Sequence, residues 1–317
     1  MKTYCKERFP MKMLKNFVSH IALLLSLLVY VPLHSSSDTS CSVTAIQLPT
    51  TDAGNFDKMK DLVKQAKSHG AELVIFPEES AFGWLNPDAF LKATPIPGKY
   101  SDAFAAIAKS EHIWLAAGLA EQGPAAGPGS QEGAHQVYNA GILINPDGQI
   151  VLHHRQFNVI RNSFDPSACQ QILNQDECSY ISGSLSDISM VNTPFGNASI
   201  LVCADAYTYP STQVLDKLKE LQPDFVIIFW GITASTQNEC GTQGFNAAEY
   251  AQKAALYLNS AVVVGANAIG ARSYGRFLPS VYCGTSGAFT ASGQSIEAKQ
   301  LSDELICFYI DKEIIDK

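Results

Sequence analysis

The segment V-N-T-P-F-G-N-A-S-I-L-V-C-A-D-A-Y-T-Y-P at residues 191–210 combines a turn, an apolar run and a cysteine. The turn at residues 194–197 leads into the apolar run at residues 199–202, which predicts a buried strand. That strand ends at Cys203, and a helix is predicted over residues 211–221. Because a helix N-terminus favours a thiolate over a thiol, Cys203 is a candidate nucleophile. The alternative is a free cysteine packed as a small apolar side chain.

The composition describes a globular chain with a sizeable core. Of its 317 residues, 46% are hydrophobic and 16% are charged, and the formal net charge is −8. A chain of this length can bury one large core or two modest ones. The negative charge, with no long basic run, argues against nucleic acid or an anionic membrane as a partner.

The N-terminal segment has the pattern of a targeting signal. Basic residues between Lys2 and Lys15 precede the apolar run at residues 21–33, and a polar serine stretch follows at residues 35–37. This length and order predict a secretory signal over residues 1–37, with the folded domain over residues 38–317. We therefore expect an exported protein, secreted or periplasmic. An uncleaved N-terminal anchor is the alternative, and only in that case do we expect contact with a membrane.

The cysteine count supports one free thiol. The sequence holds eight cysteines, and loss of Cys5 with the signal leaves an odd number. In an exported protein an odd count indicates one unpaired cysteine, and Cys203 is the candidate. The other six allow 15 pairings. The pairing we consider first joins the six residues as Cys169–Cys178, Cys41–Cys307 and Cys240–Cys283.

The rest of the chain alternates between predicted strands and helices. Helical spacing of apolar residues occurs over residues 55–69, 101–110 and 245–260, and buried strands are predicted at residues 42–48, 72–76, 113–119, 225–230, 261–266, 287–290 and 304–311. Residues 137–144 and 149–154 form a predicted hairpin around an Asp-Gly turn. Alternating elements of this kind predict a layered α/β domain with mixed sheets, and no composition break indicates a second domain.

Two further segments carry candidate chemistry. In P-E-E-S-A-F-G-W, residues 77–84, Glu78 lies just past the end of a predicted strand, where open α/β sheets bind ligands; Glu79 reads as a solvated loop acid. In the hairpin return, His153 and His154 are adjacent, but successive strand residues point to opposite faces. With no third ligand nearby we predict no metal site, and nothing in the sequence calls for a cofactor.

Together these motifs resemble the nitrilase superfamily of carbon–nitrogen hydrolases. The resemblance rests on P-E-E-S-A-F-G-W, the D-G-x-I-V…R-x-F-N hairpin and T-P-F-G-N-A-S-I-L-V-C-A-D, in the family's order, and covers roughly residues 42–312. The motifs look most like the vanin/biotinidase branch, without that branch's C-terminal domain. The resemblance implies a four-layer αββα sandwich in a single domain.

The resemblance also implies a Glu-Lys-Cys triad and a covalent mechanism on a small amide. Glu78 falls on the family's glutamate and Cys203 on its cysteine, but Gln156 occupies the lysine position. A glutamine amide can donate to an oxyanion without supplying charge. Protonated His154, two residues away on the same strand face, is a candidate substitute cation, whereas Arg155 would face away.

The surrounding residues supply candidates for substrate binding. Trp84, Tyr207 and Trp230 could line the pocket, with core packing as the alternative for each. The long segment at residues 158–187 reads either as a lid or as a surface elaboration held by a disulfide. Superfamily members commonly pair through one face, so a homodimer is a candidate assembly.

Three functions remain open from the sequence. The first is an exported thiol amidase acting on a small linear amide, the second a catalytically impaired binding protein, and the third a thiol acyltransferase. The second follows from Gln156. The third is disfavoured because acylating relatives carry several membrane spans, which this sequence lacks.

Overall fold

The computed structural model describes residues 2–5, 40–259, 261–298 and 304–311. The helices are α1 Phe56–Ser68, α2 Ala89–Lys92, α3 Lys99–Glu111, α4 Pro166–Ala168, α5 Gln213–Leu221 and α6 Ala247–Leu258. The strands are β1 Lys2–Cys5, β2 Ser40–Ile46, β3 Leu73–Ile75, β4 Trp114–Ala125, β5 His135–Ile144, β6 Ile150–Arg155, β7 Val191–Thr193, β8 Gly196–Val202, β9 Phe225–Trp230, β10 Thr233–Ala234, β11 Val262–Asn267, β12 Ile269–Arg272, β13 Ser280–Cys283, β14 Gly287–Phe289, β15 Ser295–Glu297 and β16 Glu304–Asp311. Across these ranges, none of the helices combines the length and apolarity that a membrane crossing requires.

Two large mixed sheets form the centre of the molecule. One has the strand order β1-β16-β2-β3-β4-β5-β6 and the other β15-β14-β11-β9-β8-β7. In each sheet three adjacent strands run parallel, namely β2, β3 and β4 in the first and β8, β9 and β11 in the second. A small third sheet, β10-β13-β12, lies beside them. Ligands in α/β sheets bind beyond the carboxyl ends of parallel strands, which is where β3 and β8 both stop.

The two large sheets pack face to face, with helices outside both. Apolar residues of β2, β3 and β4 share one buried cluster with β8, β9 and β11, and the same cluster includes the buried sides of α5 and α6. Close approach between the sheets requires Gly141 on β5, because a Cβ there would lie 2.2 Å from the Phe229 ring. The buried sides of α1 and α3 form a second cluster on the far side of the first sheet. The predicted αββα sandwich is confirmed.

Local sequence signals explain several element boundaries. The Asn55 side chain caps α1 by accepting a hydrogen bond from the Lys58 N–H at 3.1 Å, as is usual for asparagine at a helix start. The predicted hairpin is present as β5 and β6. Its turn closes through the N–H of Gly148, which donates to the Asn145 carbonyl, and Gly148 has a φ of +81°.

The cysteine pattern agrees with the prediction in two pairs. Cys169 is bonded to Cys178 and Cys240 to Cys283, and Cys203 is the free cysteine among the residues described with side chains. The pairing Cys41–Cys307 is not supported. Their strands β2 and β16 are neighbours, but Cys307 lies opposite Thr44, three residues from Cys41. That offset is about 10 Å along a strand, beyond the Cα separation that a disulfide spans.

The N-terminal residues differ in part from the expectation that residues 1–37 lie outside the fold. Residues 2–5 form β1, which pairs in parallel with β16 at the edge of the seven-stranded sheet. The apolar run and the rest of the predicted signal fall within residues 6–39, outside the described residues. The signal therefore stays a prediction.

Candidate active site

The candidate nucleophile lies where β8 stops. Cys203 begins a short 3-10 turn, Cys203–Ala206, and has a φ of +42°, an uncommon value for a residue with a side chain. Its thiol is buried, with its Sγ 4.0 Å from the Tyr207 hydroxyl. The helix expected right after this segment, α5, begins only at Gln213. Cys203 therefore does not sit at the N-terminus of a long helix, and the expected dipole contribution to its ionisation is absent.

The candidate acid–base residue follows β3 in the facing sheet. The Glu78 N–H donates to the Trp230 carbonyl at 3.3 Å, and the Glu78 carboxyl group lines the same narrow cleft as the Cys203 thiol, close enough for its charge to raise the pKa of the thiol. Space for this carboxyl group depends on a glycine. A Cβ at Gly231 would lie 1.9 Å from Glu78 Oε2, so no larger residue fits there. The structure thus brings the predicted glutamate and cysteine together.

A third polar residue is hydrogen-bonded to Glu78, and the sequence did not indicate it as a site residue. Asn139 on β5 is fully buried, and its Nδ2 donates to Glu78 Oε1 and also to Gln156 Oε1, the latter at 3.0 Å. The available signal was an amide directly before the apolar run at residues 140–144 of this strand. A buried polar side chain in a strand facing another sheet needs a partner. The partner here comes from 61 residues away in sequence.

Gln156, which the resemblance places at the position of the family lysine in sequence, lines the same cleft as Glu78 and Cys203. Its Oε1 accepts from Asn139, and its Nε2 donates to the Val202 carbonyl at 3.2 Å. An amide nitrogen carries two hydrogens, so one N–H of Gln156 remains for a ligand. The site therefore contains a neutral donor where a cation was expected from the family pattern.

His154 does not supply the missing cation at the thiol. It shares the strand face of Gln156, as expected, but its Nε2 is hydrogen-bonded to Asp205 Oδ2 at 2.8 Å. Buried Asp205 also accepts from the N–H groups of Phe157 and Asn158 at 3.0 and 2.8 Å. The His154 ring is thus bound to Asp205, and this hydrogen bond connects the end of β6 to the turn that carries the nucleophile.

The neighbouring residues of β6 face the opposite side, as predicted. Arg155 forms a two-point ion pair with Glu121, at 2.8 and 2.7 Å, and its guanidinium lies 4.3 Å from the centre of the Tyr138 ring. His153 contacts the same carboxylate at 2.9 Å. The two adjacent histidines therefore bind different acids on different faces of the strand and do not converge on one site.

Burial dominates the electrostatics of the cleft. Burial raises the pKa of Glu78 from 4.5 to about 8, whereas the Asn139 amide and the nearby Cys203 thiol lower it. Burial, followed by the charge of Glu78, also raises the pKa of the Cys203 thiol well above its usual value, while the Gly231 N–H lowers it. The described residues lining the cleft include no cation, and both groups are held in their neutral forms at pH 7.

Glu79 is also buried, although the sequence suggested a solvated loop acid. Only 1% of it is exposed, and burial together with the charge of Glu78 raises its pKa well above the usual range. Neither oxygen of its carboxyl group has a hydrogen-bond partner among the described residues. The nearby Tyr180 hydroxyl accepts a hydrogen bond from the Leu85 N–H at 3.1 Å, which ties the segment after the Cys169–Cys178 disulfide to the loop that follows Glu79.

The three aromatic candidates occupy different places. Trp84 lines the cleft beside Glu78 and Cys203. Tyr207 contacts the Cys203 thiol and lines an adjoining cavity of about 290 Å³. Trp230 is 1% exposed and packs in the core against Gly265, where a Cβ would lie 2.0 Å from its indole nitrogen. Two of the three thus border the cleft, whereas Trp230 contributes its backbone carbonyl to Glu78.

The cleft itself is narrow and is bordered by the segment following β6. Its lining includes Ile160 and Ser163 from that segment, and it does not admit a water-sized sphere. Ile160, 40% exposed, also lines both neighbouring cavities. The predicted lid segment therefore contacts the candidate site through Ile160 and Ser163.

Comparison with known proteins places the chain in a family. Residues 42–286 match the family model for carbon-nitrogen hydrolases. The omega-amidase NIT2 of Danio rerio is 26% identical over 168 residues, 52% of this chain and 54% of that protein. The formamidase of Helicobacter acinonychis is 33% identical over 92 residues, 27% of this chain and 25% of that protein. The matches thus span about half or less of these curated relatives.

Solved structures agree on the fold. An amidase from Nesterenkonia sp. superposes with a TM-score of 0.61 at 16% identity, covering 88% of this chain and 93% of that one. Saccharomyces cerevisiae Nit3, a nitrilase-superfamily member, gives a TM-score of 0.63 at 18% identity, covering 88% and 92%. Together with the family-model match over most of the described residues, these likenesses show that the chain belongs to the carbon–nitrogen hydrolase family of the nitrilase superfamily.

Proposed function

We propose that this protein is a thiol hydrolase that cleaves the carbon–nitrogen bond of a small linear amide, a non-peptide bond. The observation that carries the proposal is that Glu78 and free Cys203 line one narrow cleft, just past the carboxyl ends of strands in facing sheets. A nucleophile within reach of a base, with Asn139 orienting the base, is the arrangement that covalent acyl transfer requires.

The proposed reaction proceeds in two halves. Glu78 takes the thiol proton as Cys203 Sγ attacks the amide carbonyl carbon, and it then delivers that proton to the leaving amine as the C–N bond breaks. In the second half Glu78 removes a proton from water, which attacks the thioester, and returns it to the Cys203 sulfur as the acid leaves. In each half Glu78 accepts one proton and donates one, so its carboxylate ends each half unchanged.

Two neutral groups are placed to receive the developing oxyanion. The Gly231 N–H lies close enough to the Cys203 thiol to lower its pKa, and Gln156, which has one N–H left for a ligand, lines the same cleft. Loss of one oxyanion donor costs about 2.7–4 kcal/mol in such enzymes, and a neutral donor in place of a cation lowers the rate in the same direction. The raised Glu78 pKa adds to this effect, because only about one tenth of a group with a pKa near 8 is ionised at pH 7. We therefore propose a slow amidase that is faster above pH 8.

The branch of the family, the substrate, the export of the protein and its pairing are also proposals. The P-E-x-x-x-x-G-W and R-x-F-N motifs support a relationship to the vanin/biotinidase branch and hence a linear, pantetheine-like amide. Two disulfides support export, since disulfides persist in oxidising compartments. The predicted signal adds to that argument, and pairing of two copies through one face is proposed on the family resemblance alone.

Trapping the acyl-enzyme tests the proposed function directly. Incubation with a panel of linear primary and secondary amides, followed by rapid acid quenching and intact-mass measurement, should show an acyl mass increase on the wild type. The increase should be absent in Cys203→Ala and should map to the Cys203 peptide. A wild type that carries no adduct at any pH from 7 to 9.5 would overturn the hydrolase proposal.

A specific observation favours a second candidate, a binding protein without turnover. Both polar atoms of the Gln156 side chain are already hydrogen-bonded within the protein, and the cleft is too narrow for a water-sized sphere. Under this alternative the same amides raise the thermal unfolding midpoint of the wild type and form no adduct. Adduct formation with turnover excludes it.

A further inference from the structure

Arg272 is a buried cation for which the described residues supply no carboxylate. It ends strand β12 opposite Ser280, is 6% exposed, and has no salt-bridge partner among those residues. Its Nη2 donates to the Phe277 carbonyl at 2.6 Å, whereas its Nε has no hydrogen-bond partner there. Buried charges are normally paired, because an unpaired ion away from water is costly. Arg272 therefore retains donor capacity for a negatively charged group.

The environment of Arg272 compensates its charge only in part. The guanidinium lies 5.1 Å from the centre of the Trp84 ring, a distance at which the ring face attracts a cation. Burial lowers the pKa of the guanidinium below its usual value, the direction expected for a cation short of compensation. By contrast, Arg276 on the following loop is paired with Glu177 at the surface. Arg276 is thus already paired with a carboxylate, whereas Arg272 has no carboxylate partner among the described residues.

Arg272 lines a cavity that adjoins the catalytic cleft. The cavity measures about 270 Å³ and includes the hydroxyl-bearing residues Thr233, Ser235 and Ser280. Three residues, Trp84, Ile160 and Ser163, line both this cavity and the cleft that holds Glu78 and Cys203. A linear molecule whose amide carbonyl lies at Cys203 could therefore extend past these shared residues towards Arg272.

We infer that Arg272 binds a carboxylate at the far end of the substrate, so that the protein acts on linear amides bearing an anionic carboxylate group in preference to a neutral, pantetheine-like amide. A monoamide of a short dicarboxylic acid is the simplest member of this class. The guanidinium fork matches a carboxylate in shape and hydrogen-bond number, and the hydroxyl groups nearby can accept or donate the remaining bonds. This inference rests on the proposed function for the identity of the scissile bond, but the anion site itself can be tested without turnover.

Binding to an inactive variant provides that test. In a Cys203→Ala background, calorimetry would compare the monoamide anions of the four-, five- and six-carbon dicarboxylic acids with the corresponding neutral diamides. We expect at least one monoamide to bind more tightly than its diamide. We expect Arg272→Gln to reduce that preference by about 10- to 100-fold, the usual size of a charge-assisted hydrogen bond. Arg272→Lys, which keeps the charge without the fork, should fall between the two.

Arg276→Gln is the matched control, since it removes the same charge four residues further along the chain, from an arginine that does not line the cavity. It should leave the preference for the anion intact, and thermal unfolding midpoints would show which variants are folded. Equal affinity for monoamides and diamides, or an equal loss in Arg272→Gln and Arg276→Gln, would overturn the anion site. Selective anion binding with no acyl adduct on the wild type would instead uphold the site and overturn the hydrolase.

Discussion

Asn139 Nδ2 donates to both Glu78 Oε1 and Gln156 Oε1, so one buried amide holds the candidate base and the residue in the lysine position in a single hydrogen-bonded group. The bond to Glu78 favours its ionised form and opposes the rise in pKa caused by burial. Asn139 thus acts as a positioning residue that sets how much of Glu78 is ionised near neutral pH.

Replacing Asn139 by leucine should shift the reactivity of Cys203 to higher pH. Without the donor, the pKa of Glu78 rises further above 8, and at pH 7, below both pKa values, alkylation by iodoacetamide should slow by about tenfold, the effect of roughly one pKa unit. The pH profile of alkylation measures this. Asn192→Leu, on the exposed part of β7, serves as the control. An unshifted profile would show that Asn139 does not govern Glu78.

A lysine at position 156 should increase the reactivity of Cys203 at neutral pH. An ammonium in the place of the Gln156 amide would favour the ionised forms of both Glu78 and Cys203, whose pKa values are now raised by burial. We expect alkylation at pH 7 to speed up by about 10²-fold, the scale of one oxyanion-type donor.

Gln156→Met, of similar size and without a donor, is the matched control for this variant. It should react no faster than the wild type. If the lysine and methionine variants alkylate at the same rate, the missing cation is not what limits the thiol.

Local signals were enough to locate the two reactive residues. An apolar run that stops at a polar residue predicts where a strand ends, and both Glu78 and Cys203 follow such runs. Parity indicated one free cysteine, and proximity in sequence favoured the Cys169–Cys178 pair, whereas Cys240–Cys283 was only the pair that remained among 15 possible pairings. These features depend on a few consecutive residues or on simple counting.

Contacts between distant segments were not predictable in the same way. The partners of Asn139 and His154, Glu78 and Asp205, lie in the loop after β3 and the turn after β8, and the sequence shows no pattern that links them. The sheet formed by β10, β12 and β13 was missed because strands of two to four residues are too short to show a period. Arg272, which ends one of these strands, was therefore not recognised as a site residue.

Glu78→Gln should stabilise the protein more at high pH than at low pH. The pKa of Glu78 is about 8 in the folded protein, against an ordinary value of 4.5 that applies to the unfolded chain. Between these pH values the folded protein keeps a proton that the unfolded chain releases. Stability is therefore lost across that window, by roughly 5 kcal/mol at most for the full shift. Glutamine keeps an acceptor for Asn139 and does not titrate.

Urea unfolding at pH 5.5 and pH 8.5 would measure the free energy of unfolding of both proteins. The advantage of Glu78→Gln over the wild type should grow between the two pH values. Glu132→Gln, at an exposed position, should show no such growth. Parallel behaviour of wild type and Glu78→Gln would mean that Glu78 is not held protonated in the fold.

Ile160→Ala should open the cleft to larger reagents. Ile160 lines the cleft and both adjoining cavities, and in the structure the cleft is too narrow for a water-sized sphere. Since 40% of Ile160 is exposed, its truncation should cost little stability, so a change in reactivity reports access to Cys203. Alkylation by a bulky maleimide should accelerate by about tenfold relative to iodoacetamide, equivalent to removing ~1.4 kcal/mol of steric barrier.

Leu256→Ala on α6, an exposed aliphatic truncation away from the three cavities, should leave the ratio of the two rates unchanged. An unchanged ratio in Ile160→Ala would show that another part of the 158–187 segment, or a larger motion of it, controls entry to the site.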